Sequence, residues 1–152
     1  MTHQDEWRAV PERSFNASPC HCLTMRQASR QVTQLYDRHF APTGLRVTQY
    51  SVLRMLGRNE PLAMQALADR MVMDRTTLSR ALRPLEREGL VSMAPGRDAR
   101  TRLLSLTPAG HALIEELAPA WDRAQAEFET RFGVAETRDL RGMLSRVVGQ
   151  VA

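Results

Sequence analysis

Between Arg75 and Arg102 the chain carries seven arginines (75, 80, 83, 87, 97, 100 and 102) against three acids, Glu86, Glu88 and Asp98. The excess of +4 in this stretch equals the net charge of the whole chain. A guanidinium stays charged and donates paired hydrogen bonds, so it suits phosphate and the major-groove edge of guanine. Arg75, Thr76, Ser79, Arg80, Arg83 and Arg87 fall on one polar face if residues 75–88 are helical. Thr76, Thr77, Ser79 and Arg80 lie near the start of that helix. There they can hydrogen-bond to bases or phosphates, and the helix N-terminus itself favours phosphate. Arg97 and Arg100 lie in the following loop, beside Asp98. On the tip of a narrow hairpin they would fit the minor groove, where A·T-rich stretches concentrate negative potential. The plainer alternative is a solvated helix surface. A turn before the helix, a glycine stop after it and an arginine-tipped hairpin, all in order, argue for duplex DNA instead.

Such a face must be held by other elements. Leu78, Leu82 and Leu85 recur at helical spacing and form the buried stripe opposite the arginines. Asp74 is placed as N-cap and Gly89 as the C′ stop. Pro84 inside the helix removes one hydrogen bond and is expected to bend it. A short helix over about Ala63–Met71 and the turn Val72-Met73-Asp74 precede it, completing a helix-turn-helix. After it, Leu90–Met93 and Arg102–Leu106 read as two strands around APGRDAR, a hairpin wing. Upstream, helices are expected from Ser18-Pro19 (serine cap, proline at the first position) to about Phe40 and over about Thr48–Gly57, the latter with Tyr50, Leu53 and Leu56 inward. Downstream, Thr107-Pro108 opens a helix to about Arg131, carrying Leu113, Leu117, Trp121, Ala124 and Phe128 in register. Gly133 ends it, and a last helix over about Ala135–Val148 places Leu140, Met143, Leu144 and Val147 on one side.

The fold class is therefore mainly α with a small β-hairpin wing. A chain of 152 residues with 43% hydrophobic content is long enough for one buried core. All 21 basic residues are arginine. No segment approaches the ~20 apolar residues of a membrane span. The polar, acid-containing start is not a signal peptide, so a cytoplasmic location is expected, with Cys20 and Cys22 as thiols. There is no glycine-rich phosphate loop, nucleophile elbow or paired metal motif, which points away from an enzyme and from any cofactor.

The order of elements, with LADRMVMDRTTLSRALRPLEREGLV and then GRDARTRLLSLTPAG, resembles the MarR family of winged-helix transcription regulators. The family's wing pattern matches Asp98-Ala99-Arg100 and Leu106-Thr107-Pro108-Ala109-Gly110. The resemblance covers about residues 20–150. It implies an obligate homodimer built by the first and last two helices, Arg100 in the minor groove, and Asp98 bracing the wing. The expected organisation is a flexible arm over 1–18 and a single domain over 19–152. Its winged helix spans about 46–107, and its dimerisation helices about 19–40, 108–131 and 135–148. A dimer also follows from Trp121, Phe128, Leu140, Leu144, Val147 and Val151, more apolar surface than one small winged helix can cover. Two-fold symmetry predicts a near-palindromic operator with half-sites about one helical turn apart.

MarR relatives usually release DNA in response to a small anion, often phenolic, or to an oxidant. The expected function is thus a homodimeric repressor of double-stranded DNA released by a small aromatic or phenolic acid. Arg26, Arg30 and His39 are candidate anion partners, or else ordinary ion pairs, with a pocket near Tyr36 and Trp121. The alternative is a thiol redox switch. Cys22 early in the first helix, Tyr36 farther along it and the Gln49-Tyr50 landmark resemble the organic-hydroperoxide-sensing branch, although that branch has a tyrosine where this chain has Val47. A helix N-terminus lowers a cysteine's pKa. Plainer readings of Cys20-His21-Cys22 are small buried side chains or, with no second ligand pair, a metal site. A different class of function, a winged helix used only for protein contacts, would leave nucleic-acid affinity indifferent to Arg80 and Arg100.

Overall fold

The computed structural model describes residues 19–98 and 100–151, so the arm and the Ser18 cap expected at the start lie outside the described residues. The chain divides into two units after Val32. In the first unit, helix α1 (His21–Phe40, continuing into the second unit) starts two residues later than Pro19. Cys20 occupies the cap. Its carbonyl accepts from the Thr24 N–H at 3.0 Å, and its Sγ accepts from the Leu23 N–H at 3.5 Å.

The second unit holds the rest of α1 and a 3-10 turn at Ala41–Thr43. Then come α2 (Val47–Gly57), strand β1 (Leu62–Ala63), α3 (Met64–Met71) and α4 (Arg75–Arg87). Strands β2 (Val91–Pro95) and β3 (Arg102–Leu106) follow, and the long helices α5 (Pro108–Phe132) and α6 (Val134–Gln150) close the chain. The hairpin read from sequence is thus part of a three-stranded antiparallel sheet, ordered β1-β3-β2. The third strand is two residues long and pairs Leu62 with Leu104 and Ala63 with Leu103. It lies where a turn and a helix start were expected.

One core fixes α4. Val52, Leu53 and Leu56 of α2, Leu67 and Ala68 of α3, Leu78, Leu82 and Leu85 of α4, and Leu104 and Leu106 of β3 pack together. Each leucine of the α4 stripe is almost fully buried, and each such burial stabilises by about 2 kcal/mol. Rotating the helix by one position would forfeit that, so the arginine face has one orientation. The helix runs through Pro84, whose carbonyl still accepts the Glu88 N–H at 3.0 Å. Proline is tolerated there because little of the helix remains beyond it. Gly89 (φ +71°) then closes the end. Its N–H donates to Glu86 and that of Leu90 to Leu85, the paired bonds of a glycine-terminated helix.

The same closure ends α3, but there the left-handed residue is Val72 (φ 53°), 68% exposed. A β-branched side chain in that region costs about 1–2 kcal/mol. The bonds from Val72 to Asp69 and from Met73 to Ala68, followed by the α4 cap, hold the turn against this strain. A second cluster of Phe40, Tyr50, Leu117 and Ala120 joins α2 to α5. On α6, Met143, Leu144 and Val148 remain exposed on this chain.

Candidate nucleic-acid interface

The start of α4 is built around one carboxylate. Asp74 Oδ1 accepts the Thr77 N–H at 2.8 Å, and Oδ2 accepts the Thr77 hydroxyl at 2.6 Å. These bonds, the side-chain one foremost, hold the Asp74 carboxyl below its usual range. The sign follows directly. A depressed folded-state pKa contributes stability above the ordinary carboxylate value and loses it as pH falls through the folded one. In acid titration followed by circular dichroism, the wild type should lose helix stability relative to Asp74→Ser, whose cap carries no charge. Parallel curves would show that the charge contributes nothing.

The Thr77 hydroxyl proton is therefore engaged in the cap of α4. Arg75, Thr76, Ser79, Arg80 and Arg83 instead line one concave surface, together with Met64 from the start of α3. Arg80, Arg83 and Arg87 border a second, with Pro84 and Glu86. The arginines are exposed and Ser79 is half-buried. At the wing, the Gly96 N–H donates to the Thr101 carbonyl at 2.7 Å, and the Thr101 N–H to the Asp98 carbonyl at 2.9 Å. The Asp98 side chain accepts the Arg100 N–H at 3.2 Å, a self-bonded turn. Arg97 and Arg100 are exposed on this loop; Ala99 between them lies outside the described residues.

The residues expected to take part in sensing fall in both units. Cys20, Cys22, Arg26 and Arg30 are all exposed in the first unit, so the expectation of small buried cysteine side chains does not hold for this chain. His39 faces a carboxylate rather than an open site. Its Nε2 lies 2.5 Å from Glu127 Oε2, and Glu127 Oε1 also meets Arg131 at 2.7 Å and Arg38 at 3.4 Å. The hydrogen bond from His39, aided by Arg131 and Arg38, keeps Glu127 below the usual carboxylate range. Tyr36 donates to Gln125 of α5. Burial, with the charge of Glu129 adding to it, raises the Tyr36 pKa.

A concavity between α2 and α5 does include Trp121, but its other walls are Tyr50, Ser51, Arg54, Met55 and Arg58 rather than Tyr36. Arg54 is its centre. The guanidinium stands 4.9 Å from the Trp121 ring centroid and 5.7 Å from that of Tyr50, and it donates to the Tyr50 hydroxyl at 3.2 Å. Sequence reasoning passed over Arg54, because Trp121, one of its two aromatic neighbours, lies far along the chain on another helix. Among the described residues no His, Cys, Asp and Glu group could hold a metal ion, and no helix is long and apolar enough to cross a membrane.

A brace helix, a capped recognition helix and an arginine-tipped wing, flanked by long helices, define a winged helix-turn-helix DNA-binding protein. The MarR family model matches residues 45–100. A Thauera aromatica protein described as a transcriptional regulator for the hcr operon is 31% identical over 141 residues, which cover 91% of this chain and 80% of that one. The organic hydroperoxide resistance transcriptional regulator of Bacillus subtilis is 30% identical over 98 residues, covering 64% and 66%. The crystal structure of the M. tuberculosis transcriptional regulator MosR in complex with DNA superposes with a TM-score of 0.78 at 36% identity, covering 87% and 96%. The chain belongs to the MarR family and is a DNA-binding transcriptional regulator.

Proposed function

We propose that the protein is a cytoplasmic, homodimeric repressor that binds a near-palindromic operator. The observation that carries this reading is the single orientation of α4, which turns Arg75, Thr76, Ser79, Arg80 and Arg83 outward on one face while Arg97 and Arg100 extend from the wing. Residues 46–107 form the DNA-reading part, in which α4 enters the major groove and Arg100 the minor groove. The helices over 19–40, 108–131 and 135–148 form the dimer contact, consistent with the exposed Met143, Leu144 and Val148. The crystallised complex of MosR with DNA supports the same use of the fold.

The signal is a small aromatic or phenolic acid, and the Arg54 concavity is its site. A guanidinium already stacked on two rings offers charge to a carboxylate and a π-face to an aromatic ring. A second reading is a thiol switch at Cys22, favoured by the likeness to the hydroperoxide resistance regulator and by the cysteines' position at a helix N-terminus.

Duplexes selected by the protein from a random pool provide the test. Two chains should occupy each selected duplex. Log K should fall with log[salt] by about 0.9 per phosphate neutralised. A flat salt titration, or one chain per duplex, is incompatible with the reading. Hydroperoxide then separates the signals: release that vanishes in Cys22→Ser assigns the thiol, and undisturbed binding leaves the aromatic acid.

A further inference from the structure

The turn after α2 carries a carboxylate that touches two other elements. Glu60 Oε2 accepts the N–H of Leu106, the last residue of β3, at 2.5 Å. Glu60 Oε1 lies 2.6 Å from Nε2 of His111 in the first turn of α5. The sheet register explains the first contact. β1 pairs Leu62 with Leu104 and ends there. Two residues farther along this antiparallel ladder, Leu106 stands opposite position 60, which is no longer strand, and the Glu60 side chain takes the place of the backbone acceptor. On its other side Leu106 is paired with Val91 of β2.

The joint between β3 and α5 is the single residue Thr107. Its N–H donates to the Leu90 carbonyl at 3.0 Å, and its hydroxyl to the Gly89 carbonyl at 2.5 Å. The joint is thus fastened to the end of α4 by Thr107 and to the end of α2 by Glu60. The two fastenings differ in kind. The first is mostly backbone. The second ends in a side-chain pair whose members are 53% and 23% exposed, so it can be cut without opening the core.

A helix leaving such a joint is a lever. α5 has 25 residues, about 37 Å at 1.5 Å per residue. Tilting it by about 5° at its root moves the far end by about 3 Å, close to the 3.4 Å rise of one base pair. We propose that Glu60 is a positioning residue for operator binding: by bridging the α2 turn to His111 it sets the angle at which α5 leaves the winged helix, and so the spacing between the two recognition helices of the dimer. The proposal rests on the dimeric-operator reading above.

The test uses the full chain and a duplex selected by it from a random pool. That duplex is remade with one base pair added between the half-sites or removed, and alongside it a duplex with one half-site alone. Glu60→Gln keeps an acceptor for the Leu106 N–H while removing the charge facing His111; His111→Ala removes the α5 partner of that bond altogether. Each variant is expected to lose about fivefold of the wild-type preference for the matched spacing, the order of effect seen for residues that couple sites without touching ligand. Affinity for the single half-site should be unchanged. The double variant should lose no more than either single one, since both act through one bond. Full preference retained in both variants overturns the proposal, as does an equal loss on the half-site duplex, which would make the bridge merely structural. A wild type that ignores spacing, or binds no duplex, instead removes the dimeric-operator reading, and the proposal with it.

Discussion

Replacing Arg80 by alanine is expected to weaken binding about tenfold or more at one base-pair position and little elsewhere. Arg80 borders both concave surfaces of α4, a little over one turn into the helix proposed to enter the groove. A paired contact from arginine to guanine is worth about 1–3 kcal/mol of discrimination, and about 1.4 kcal/mol is tenfold in affinity. The change is present in both copies of a dimer, so a symmetric operator doubles the effect in free energy. Arg100→Ala should behave differently, weakening A·T-flanked sites most, since the negative potential of the minor groove is strongest where the groove is narrow. Each replacement should lower the salt slope only by what the arginine adds to phosphate neutralisation, about 1 for every phosphate it touches. Both side chains are exposed and neither belongs to the core, so thermal unfolding should be unchanged. Fluorescence anisotropy on a panel of single-base-pair operator variants, repeated across salt, measures all of this. A uniform weakening across the panel from Arg80→Ala, with a lowered slope, would make Arg80 a phosphate anchor rather than a reader.

Much of this interface was legible because its determinants are local. The stripe Leu78, Leu82 and Leu85, the Asp74 cap and the Gly89 stop each act within one or two turns, so their spacing on the chain is their spacing in space. The same locality explains the Thr107-Pro108 start of α5, where the Thr107 hydroxyl accepts the Gly110 N–H at 3.1 Å. The bonds from Thr77 to Asp74 are local in the same way: an aspartate followed three residues later by threonine at a helix start is itself a capping signal.

What remained hidden depends on residues far apart in sequence. β1 is two residues long and exists because β3 offers it an edge, so no periodicity announces it. Glu60 and His111 are 51 residues apart, and only the sheet register aligns them. Arg54 stacks on Trp121, which lies on a different helix. His39 illustrates the converse. An isolated histidine near a helix end resembles an anion receptor, but Glu127, 88 residues away, occupies it. The first helix shows a subtler limit: proline is well suited to its first position, yet Cys20 takes the cap and the helix opens at His21.

Gly110→Ala should be among the most damaging single-methyl changes in the protein, costing about 3 kcal/mol of stability, the upper range for forcing atoms into a packed site. A Cβ at this position would stand 2.2 Å from the Leu90 carbonyl oxygen and 3.2 Å from its carbon. The obstacle is backbone, so no rotamer change relieves it. Nor can the carbonyl swing aside cheaply, because it accepts the Thr107 N–H that joins β3 to α5. The glycine of the Leu-Thr-x-x-Gly pattern is therefore a packing requirement: the first turn of α5 lies against the chain leaving the recognition helix, with only a hydrogen atom between. Two responses to the added methyl are distinguishable. If the joint holds, the urea midpoint falls with no change in its slope, and the folded fraction binds its operator normally. If the joint yields, α5 is pushed off the winged helix, stability falls less, and preference for the matched half-site spacing falls as in Glu60→Gln. A variant as stable as the wild type, with its spacing preference intact, would mean that α5 does not press on Leu90, and the close approach at the root of the lever would have to be abandoned.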